Sequence, residues 1–296
     1  MTLSLSVALA ALVATGCSRH KQEAIKLANE GDARVDLSPS EAISRYEQAT
    51  QLDPSNHYIL YKLAKAYKKK EEWDKVATTL ARASDLAPSY ASYYKERGWA
   101  LEQRARKKEI SYEDCKEPYK KCIEADINEE ECYAQLANAY LWTDDEQKAL
   151  ENLTKAIEHR PSRIEYYPRL ADLYIRLGYL KEAETVLNAA KEIAKPGDEN
   201  LFHVHTLLSE VYRDRDDVNK MVSELEAAKS VNPSDPSLLF SLGMAYSKLK
   251  PPKKAEALQM LKGFNARACR SKKAQRYKSE CEQAQTTQTR LSGPGS

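Results

Sequence analysis

The chain has 296 residues, 30% of them charged and 42% hydrophobic, with nine Gly, twelve Pro and a formal net charge of +2. That length is more than one core usually organises, which predicts two domains or a repeat array. So few turn-forming residues exclude the loop count of a sandwich or barrel, and 46 basic against 44 acidic residues exclude a polyanion trap acting through the whole chain. No run approaches the roughly 20 apolar residues of a membrane helix.

Residues 2–16 form an apolar stretch of about secretory h-region length, and the sequence turns polar at Ser18-Arg19-His20-Lys21. Its close, Ala14-Thr15-Gly16-Cys17, resembles a bacterial lipobox. The resemblance implies a signal peptide over 1–17 and a mature chain that begins at a diacylated Cys17. Ser18 after that cysteine implies outer-membrane sorting, with the protein facing the periplasm. Two features depart from the pattern: Ala14 stands where Leu is usual, and no Lys or Arg precedes the stretch. An ordinary signal peptide or a buried N-terminal helix is the alternative.

From there the sequence repeats. Mostly small residues open each expected second helix at Ala42, Val76, Cys115, Ala149, Ala183, Met221 and Ala255, spaced 34, 39, 34, 34, 38 and 34 apart. Seven residues on stand Ala49, Ala83, Cys122, Ala156, Ala190 and Ala228, and between the two columns lie Tyr46, Leu80, Tyr119, Leu153, Leu187 and Leu225. Tyr67, Tyr140, Tyr174, Tyr212 and Tyr246 mark the first helices, and Pro54, Pro88, Pro161 and Pro233 close the units. Small residues let helix axes approach closely, and proline stops a helix.

This pattern resembles the tetratricopeptide repeat, two antiparallel helices with small residues where they cross. The resemblance implies an all-α, right-handed α-solenoid of about seven helical hairpins over 18–265, followed by a basic C-terminal cap helix and a disordered tail over 266–296. The first unit has a poor opening helix, five extra residues within Arg104–Ile110 lengthen the third, and the seventh loses register at Gln259 and Lys262. The eighteen Tyr then serve mainly in packing, with the ring at a helix crossing and the hydroxyl at a polar rim or in water.

Cys122 and Cys132 lie five residues either side of Ile127, the expected turn between antiparallel helices, so they face each other and form the favoured disulfide. Cys269 and Cys281 form a second local pair that clasps a final hairpin. Cys115 stays free and buried as a small hydrophobe. The cysteine spacing offers no zinc site.

No phosphate loop, Gly-x-Ser-x-Gly or His-Glu-x-x-His occurs. His203 and His205 are two apart and share no helix face, so His205 reads as a packing residue. Asp144-Asp145-Glu146 and Asp214-Arg-Asp-Asp217 fall at turns, where acidic residues cap the next helix. The expectation is a non-enzymatic protein with no catalytic residue, metal, cofactor, small-molecule substrate or nucleic acid. An enzyme would need a pocket of convergent polar groups with perturbed ionisation.

The repeat resemblance implies a concave surface lined by first helices. The residues expected there are Tyr58, Tyr61, Lys65, Lys68 and Lys69, then Lys95 and Trp99, then Asn138 and Trp142, and finally Arg169 and Arg176. Aromatic anchors beside cations suit a protein partner, and solvated helix faces are the bland alternative. Repeats that clamp a C-terminal carboxylate carry Lys and Asn four residues apart on one first helix, and no unit here has both. The leading expectation is a lipid-anchored scaffold in the bacterial envelope that binds protein partners in this groove. One alternative resembles the pilot lipoproteins that help an outer-membrane secretin assemble in type IV pilus systems; another is a peptidoglycan-associated adaptor. The tail from Lys262 to Arg290 carries eight basic residues against Glu280 and Glu282, suited to anionic lipid, an acidic partner or simply solvent.

Overall fold

The structure, a computed structural model, describes residues 19–195, 197–270 and 274–293; Cys17, the lipobox and residues 294–296 lie outside them. The chain divides into two compact units, Met1–His159 and Arg160–Ser296. Both are all-α and built of antiparallel hairpins, the class the repeat columns predict, and among the described residues there is no strand.

In the first unit α1 (residues 19–32) pairs with α2 (Pro39–Leu52), α3 (His57–Lys69) with α4 (Trp73–Leu86), α5 (Ala91–Arg106) with α6 (Lys116–Ala125), and α7 (Glu130–Leu141) with α8 (Glu146–His159). In the second, α9 (Tyr166–Arg176) pairs with α10 (Leu180–Ile193), α11 (Asn200–Asp214) with α12 (Val218–Val231), and α13 (Pro236–Lys248) with α14 (Lys254–Phe264). A final helix, α15 (Lys278–Ser292), packs on α13 and α14. Its last residue is Ser292.

The ends of these helices follow from their residues. Proline stands two positions beyond α2, α4, α8 and α12, at Pro54, Pro88, Pro161 and Pro233, where a helix cannot continue. Asn56, Asp145, Asp217 and Asp235 accept from the backbone N–H three residues on, at Ile59, Lys148, Lys220 and Leu238. Asp145 and Asp217 thus do what the acidic turn clusters suggested. The first helices of five hairpins close on a left-handed residue: Glu71, Lys108, Asp144 and Asp216 at φ of 56°, 62°, 57° and 56°, and Gly178 at 80°. Only at Gly178 does the sequence supply the residue that adopts this conformation freely.

The opening column, the large column and the +7 column are buried from Ala42 through Ala228. Opposite the large column stands a column on the first helices absent from the sequence reading: Gly31, Ala64, Gly98, Ala137, Ala171, Ser209 and Gly243. Its members vary in size against their partners. A Cβ on Gly31 would lie 2.7 Å from the ring of Tyr46, and one on Gly98 would lie 2.6 Å from that of Tyr119. Where the partner is Leu80, Leu153 or Leu187, the register places Ala64, Ala137 or Ala171. In the first five hairpins glycine thus accompanies tyrosine and alanine accompanies leucine, whereas the sixth sets Ser209 against Leu225 and the seventh sets Gly243 against Leu261.

The seventh hairpin departs from the expected register. Ala255 is exposed, and the buried positions of α14 are Ala257, Met260, Leu261 and Phe264. Five residues, including Pro251 and Pro252, separate α13 from α14, against three between α3 and α4, so the column slides by two and Leu261 faces Gly243. In the third hairpin the extra residues extend the turn into a short 3-10 segment, Tyr112–Cys115, begun by a Ser111–Asp114 capping box.

The aromatic column does more than fill space. Tyr67, Tyr212 and Tyr246 donate to Glu47, Glu184 and Glu226 of the preceding helix at 2.5, 2.7 and 2.8 Å. Lysines of their own hairpins, Lys75, Lys220 and Lys253, lie 5.0, 5.1 and 5.3 Å from the same rings. Burial first, and then the carboxylate neighbour, push these phenol pKa values up.

Disulfides join Cys122 to Cys132 and Cys269 to Cys281, with Cα atoms 6.2 and 5.8 Å apart. Cys115 is free and fully buried, and burial pushes its thiol up to about 12. His205 bonds Glu224 at 2.5 Å, and Lys191 reaches the same carboxylate at 2.9 Å.

Candidate functional site

α3 is strongly one-sided. Ile59, Leu60, Leu63, Ala64, Ala66 and Tyr67 enter the core, which leaves Tyr58, Tyr61, Lys62, Lys65, Lys68 and Lys69 along the opposite face. That face borders a cleft of about 720 Å³ in the first unit, closed on other sides by Asp32 at the end of α1 and Asp36 beyond it, by Trp73 of α4, and by Glu96 and Trp99 of α5.

Within the cleft the aromatic residues are layered. Trp73 meets Trp99 edge to face at 5.0 Å, and the ammonium of Lys68 lies 4.3 Å from the Trp99 ring. Tyr61 lies 5.0 Å from Tyr93, which stacks on Tyr90 at 5.2 Å, and Tyr58 is 57% exposed at the rim. Tyr61 donates to Glu96 at 2.7 Å; burial, reinforced by that bond, pushes its phenol up.

The lysines are not the mobile cations that the sequence suggested. Lys62 pairs with Asp32 at 2.6 Å, Lys68 with Glu96 at 3.4 Å, and Lys69 with Asp36. Lys95 is held between Glu129 and Glu131, at 3.0 Å from each. Burial works against its charge, but the two hydrogen bonds outweigh it and raise its pKa. Each of these pairs ties one hairpin to the next. Lys65 alone of the stripe forms no ion pair among the described residues; its ammonium lies 5.6 Å from the Tyr61 ring. The missed signal was in the sequence: Asp32, Asp36, Glu96, Glu129 and Glu131 stand about one repeat from the lysines they neutralise.

The remaining expected groove residues do not join this cleft. Trp142 caps α7, half-buried, with its ring 4.5 Å from Tyr112 in the third hairpin's extra segment and the guanidinium of Arg106 at 5.6 Å. The inserted segment folds against this ring, and Trp142 does not line the α3–α5 cleft. Asn138 donates to Gln135 on its own helix at 2.8 Å. Arg169 and Arg176 lie on α9 in the second unit; Arg169 sits 5.9 Å from the ring of Tyr166, and Arg176 pairs with Asp172 at 3.6 Å. Tyr58, Tyr61, Lys65, Lys68, Lys69 and Trp99 are therefore the expected residues that the structure brings together. They include no nucleophile beside a base, and among the described residues no cluster of three metal-binding side chains forms.

Two stretches match family models: residues 40–71 match a TPR repeat model, and residues 164–196 match a tetratricopeptide repeat model. No curated protein matches the chain in sequence. Among solved structures, the C-terminal part of a TPR repeat-containing protein from Cytophaga hutchinsonii superposes with a TM-score of 0.63 at 15% identity, covering 84% of this chain and 98% of that one. Pseudomonas aeruginosa pilF gives 0.54 at 14% identity, over 79% and 99% of the two chains. YrrB, described as a TPR protein with an unusual peptide-binding site, gives 0.53 at 18% identity, over 66% and 95%. At these identities the likeness is one of fold.

Proposed function

We propose that this tetratricopeptide-repeat protein is a non-enzymatic scaffold that takes an extended segment of a partner protein into the cleft between α3 and α5. The observation that carries the reading is the cleft itself, in which Tyr58, Tyr61 and Trp99 remain partly open to solvent around the unpaired Lys65. Aromatic residues at the centre of a concave surface supply most of the energy in such interfaces, about 2 kcal/mol or more for each anchor. The paired lysines fix the rims of the cleft, so they contribute shape more than free charge. Photo-crosslinking from position 65 in intact cells tests the reading. A partner captured by the wild type and lost in Trp99→Ala, with helicity unchanged, supports it; equal capture by both refutes it.

The N-terminal sequence extends this proposal to the envelope: Cys17 is acylated and anchors the scaffold in the outer membrane, facing the periplasm. Labelling with a fatty-acid analogue that is equal in wild type and Cys17→Ala excludes the anchor. The pairing of lipobox and repeats also favours a narrower role, as a pilot for an outer-membrane secretin. Deleting the gene would then leave that secretin unassembled, which is read as loss of its detergent-resistant multimer.

A further inference from the structure

The basic C-terminal segment has no part in the cleft, and its charges are arranged differently. Among the described residues Lys262, Arg267, Arg270, Arg276 and Lys278 are all exposed, and none forms an ion pair. In the cleft the reverse holds, with Lys62, Lys68 and Lys69 each matched by a carboxylate. The Cys269–Cys281 disulfide closes the segment, bringing the turn at Asn265–Cys269 against the start of α15. Arg270 and Lys278 consequently line one shallow cleft, together with the amides of Gln275 and Gln285, the carboxylate of Glu282, and Asn265, which donates to Gln288 at 3.0 Å. Glu280 is the other acid of the segment, so cations outnumber anions.

What the surface lacks narrows the partner. Protein interfaces centre on large apolar or aromatic anchors, and no large hydrophobic side chain is exposed after Ile193 among the described residues. Single-stranded nucleic acid needs aromatic platforms, and the one aromatic residue beyond Phe264 is Tyr277, whose ring packs edge-on against Phe264 at 5.9 Å. Unpaired cations with hydrogen-bonding amides and no apolar anchor match the phosphate and hydroxyl groups of an anionic lipid surface. We infer that the disulfide-closed cap is a membrane-contacting surface that binds anionic phospholipid headgroups, independently of the α3–α5 cleft and of any acyl group on Cys17.

Vesicle co-sedimentation of the full chain carrying Cys17→Ser tests this, using mixed phosphatidylethanolamine–phosphatidylglycerol vesicles against pure phosphatidylcholine. The apolar N-terminal stretch contributes to both vesicle types alike, so the difference between them reads the cap. Each cation is worth about fivefold in partitioning, so Arg270→Gln with Arg276→Gln and Lys278→Gln should cut the preference for anionic vesicles on the order of a hundredfold. Physiological salt should weaken wild-type binding more than that of the triple variant. Circular dichroism and non-reducing peptide mapping establish that the variant keeps its helices and its disulfide. No preference for phosphatidylglycerol, an undiminished preference in the triple variant, or stronger binding to polyglutamate than to the vesicles would overturn the inference.

Discussion

Replacing Gly98 by Ala should destabilise the first unit, although alanine is the better helix former. The new Cβ would sit 2.6 Å from two ring carbons of Tyr119, about an ångström inside normal carbon contact. The ring has nowhere to go: Tyr119 is fully buried and its hydroxyl donates to buried Glu102 at 2.6 Å. Overpacking of this kind costs about 1–3 kcal/mol, and the helix propensity of alanine returns about 1 kcal/mol, for a net loss of up to about 2 kcal/mol. Tyr119→Leu alone should also destabilise, since Glu102 loses one hydrogen bond and the space beside Gly98 is underfilled. The double variant recreates the Ala–Leu combination of neighbouring hairpins, without the clash and with the propensity gain. It should therefore be more stable than the sum of the single effects by about 2 kcal/mol. Urea unfolding of all four proteins, followed by far-UV circular dichroism, measures the coupling. Additive effects within about 0.5 kcal/mol would refute the size matching and reduce the column to chance.

Other outcomes follow from the same structure. Glu71→Gly and Lys108→Gly should each raise stability by up to about 1 kcal/mol by relieving left-handed backbone, whereas Gly178→Ala should lower it by a similar amount; thermal melts decide the sign. Cys115 should resist thiol reagents at mildly alkaline pH, because burial holds its thiol near 12, and rapid labelling of the folded protein would contradict that placement. Removing the Cys122–Cys132 bridge as a double alanine variant should cost about 2–3 kcal/mol, and a non-reducing map that links Cys115 instead would overturn the hairpin register. Hydrogen bonding from Tyr212, with Arg215 beside it, depresses the Glu184 pKa below its ordinary 4.5. The stabilisation from this group is present above 4.5 and fades as pH falls through the depressed value, so Glu184→Gln should flatten the acid limb of stability in the second unit.

The hairpins were legible because their columns recur at a fixed interval and each column does one physical job. Alanine at 42, 149 and 183 and proline at 54, 88, 161 and 233 mean the same thing in every unit. The seventh unit visibly lost register at Gln259 and Lys262, and only its opening position misled, because the extra residues at Pro251-Pro252 moved the column by two and Ala255 matched the old interval by coincidence. The cleft was legible as a face but not in its charges. Which lysine keeps its charge free depends on carboxylates of neighbouring hairpins, and so on how the hairpins stack. Trp142 was misplaced for a related reason: the segment that packs against it, around Tyr112, lies outside the repeat pattern, so no periodicity could announce it.

The size match between glycine and tyrosine, or alanine and leucine, is completed inside single hairpins: Gly31 with Tyr46 across α1 and α2, Gly98 with Tyr119 across α5 and α6. This bears on how such a chain can lengthen during evolution. A duplication whose ends fall in the turns between hairpins copies both members of a match and yields a unit that packs at once. A recombination break inside a hairpin can join an alanine helix to a tyrosine helix, which collides as a Cβ on Gly31 or Gly98 would. The heritable module is then the helix pair, and its junctions are the proline-bearing turns.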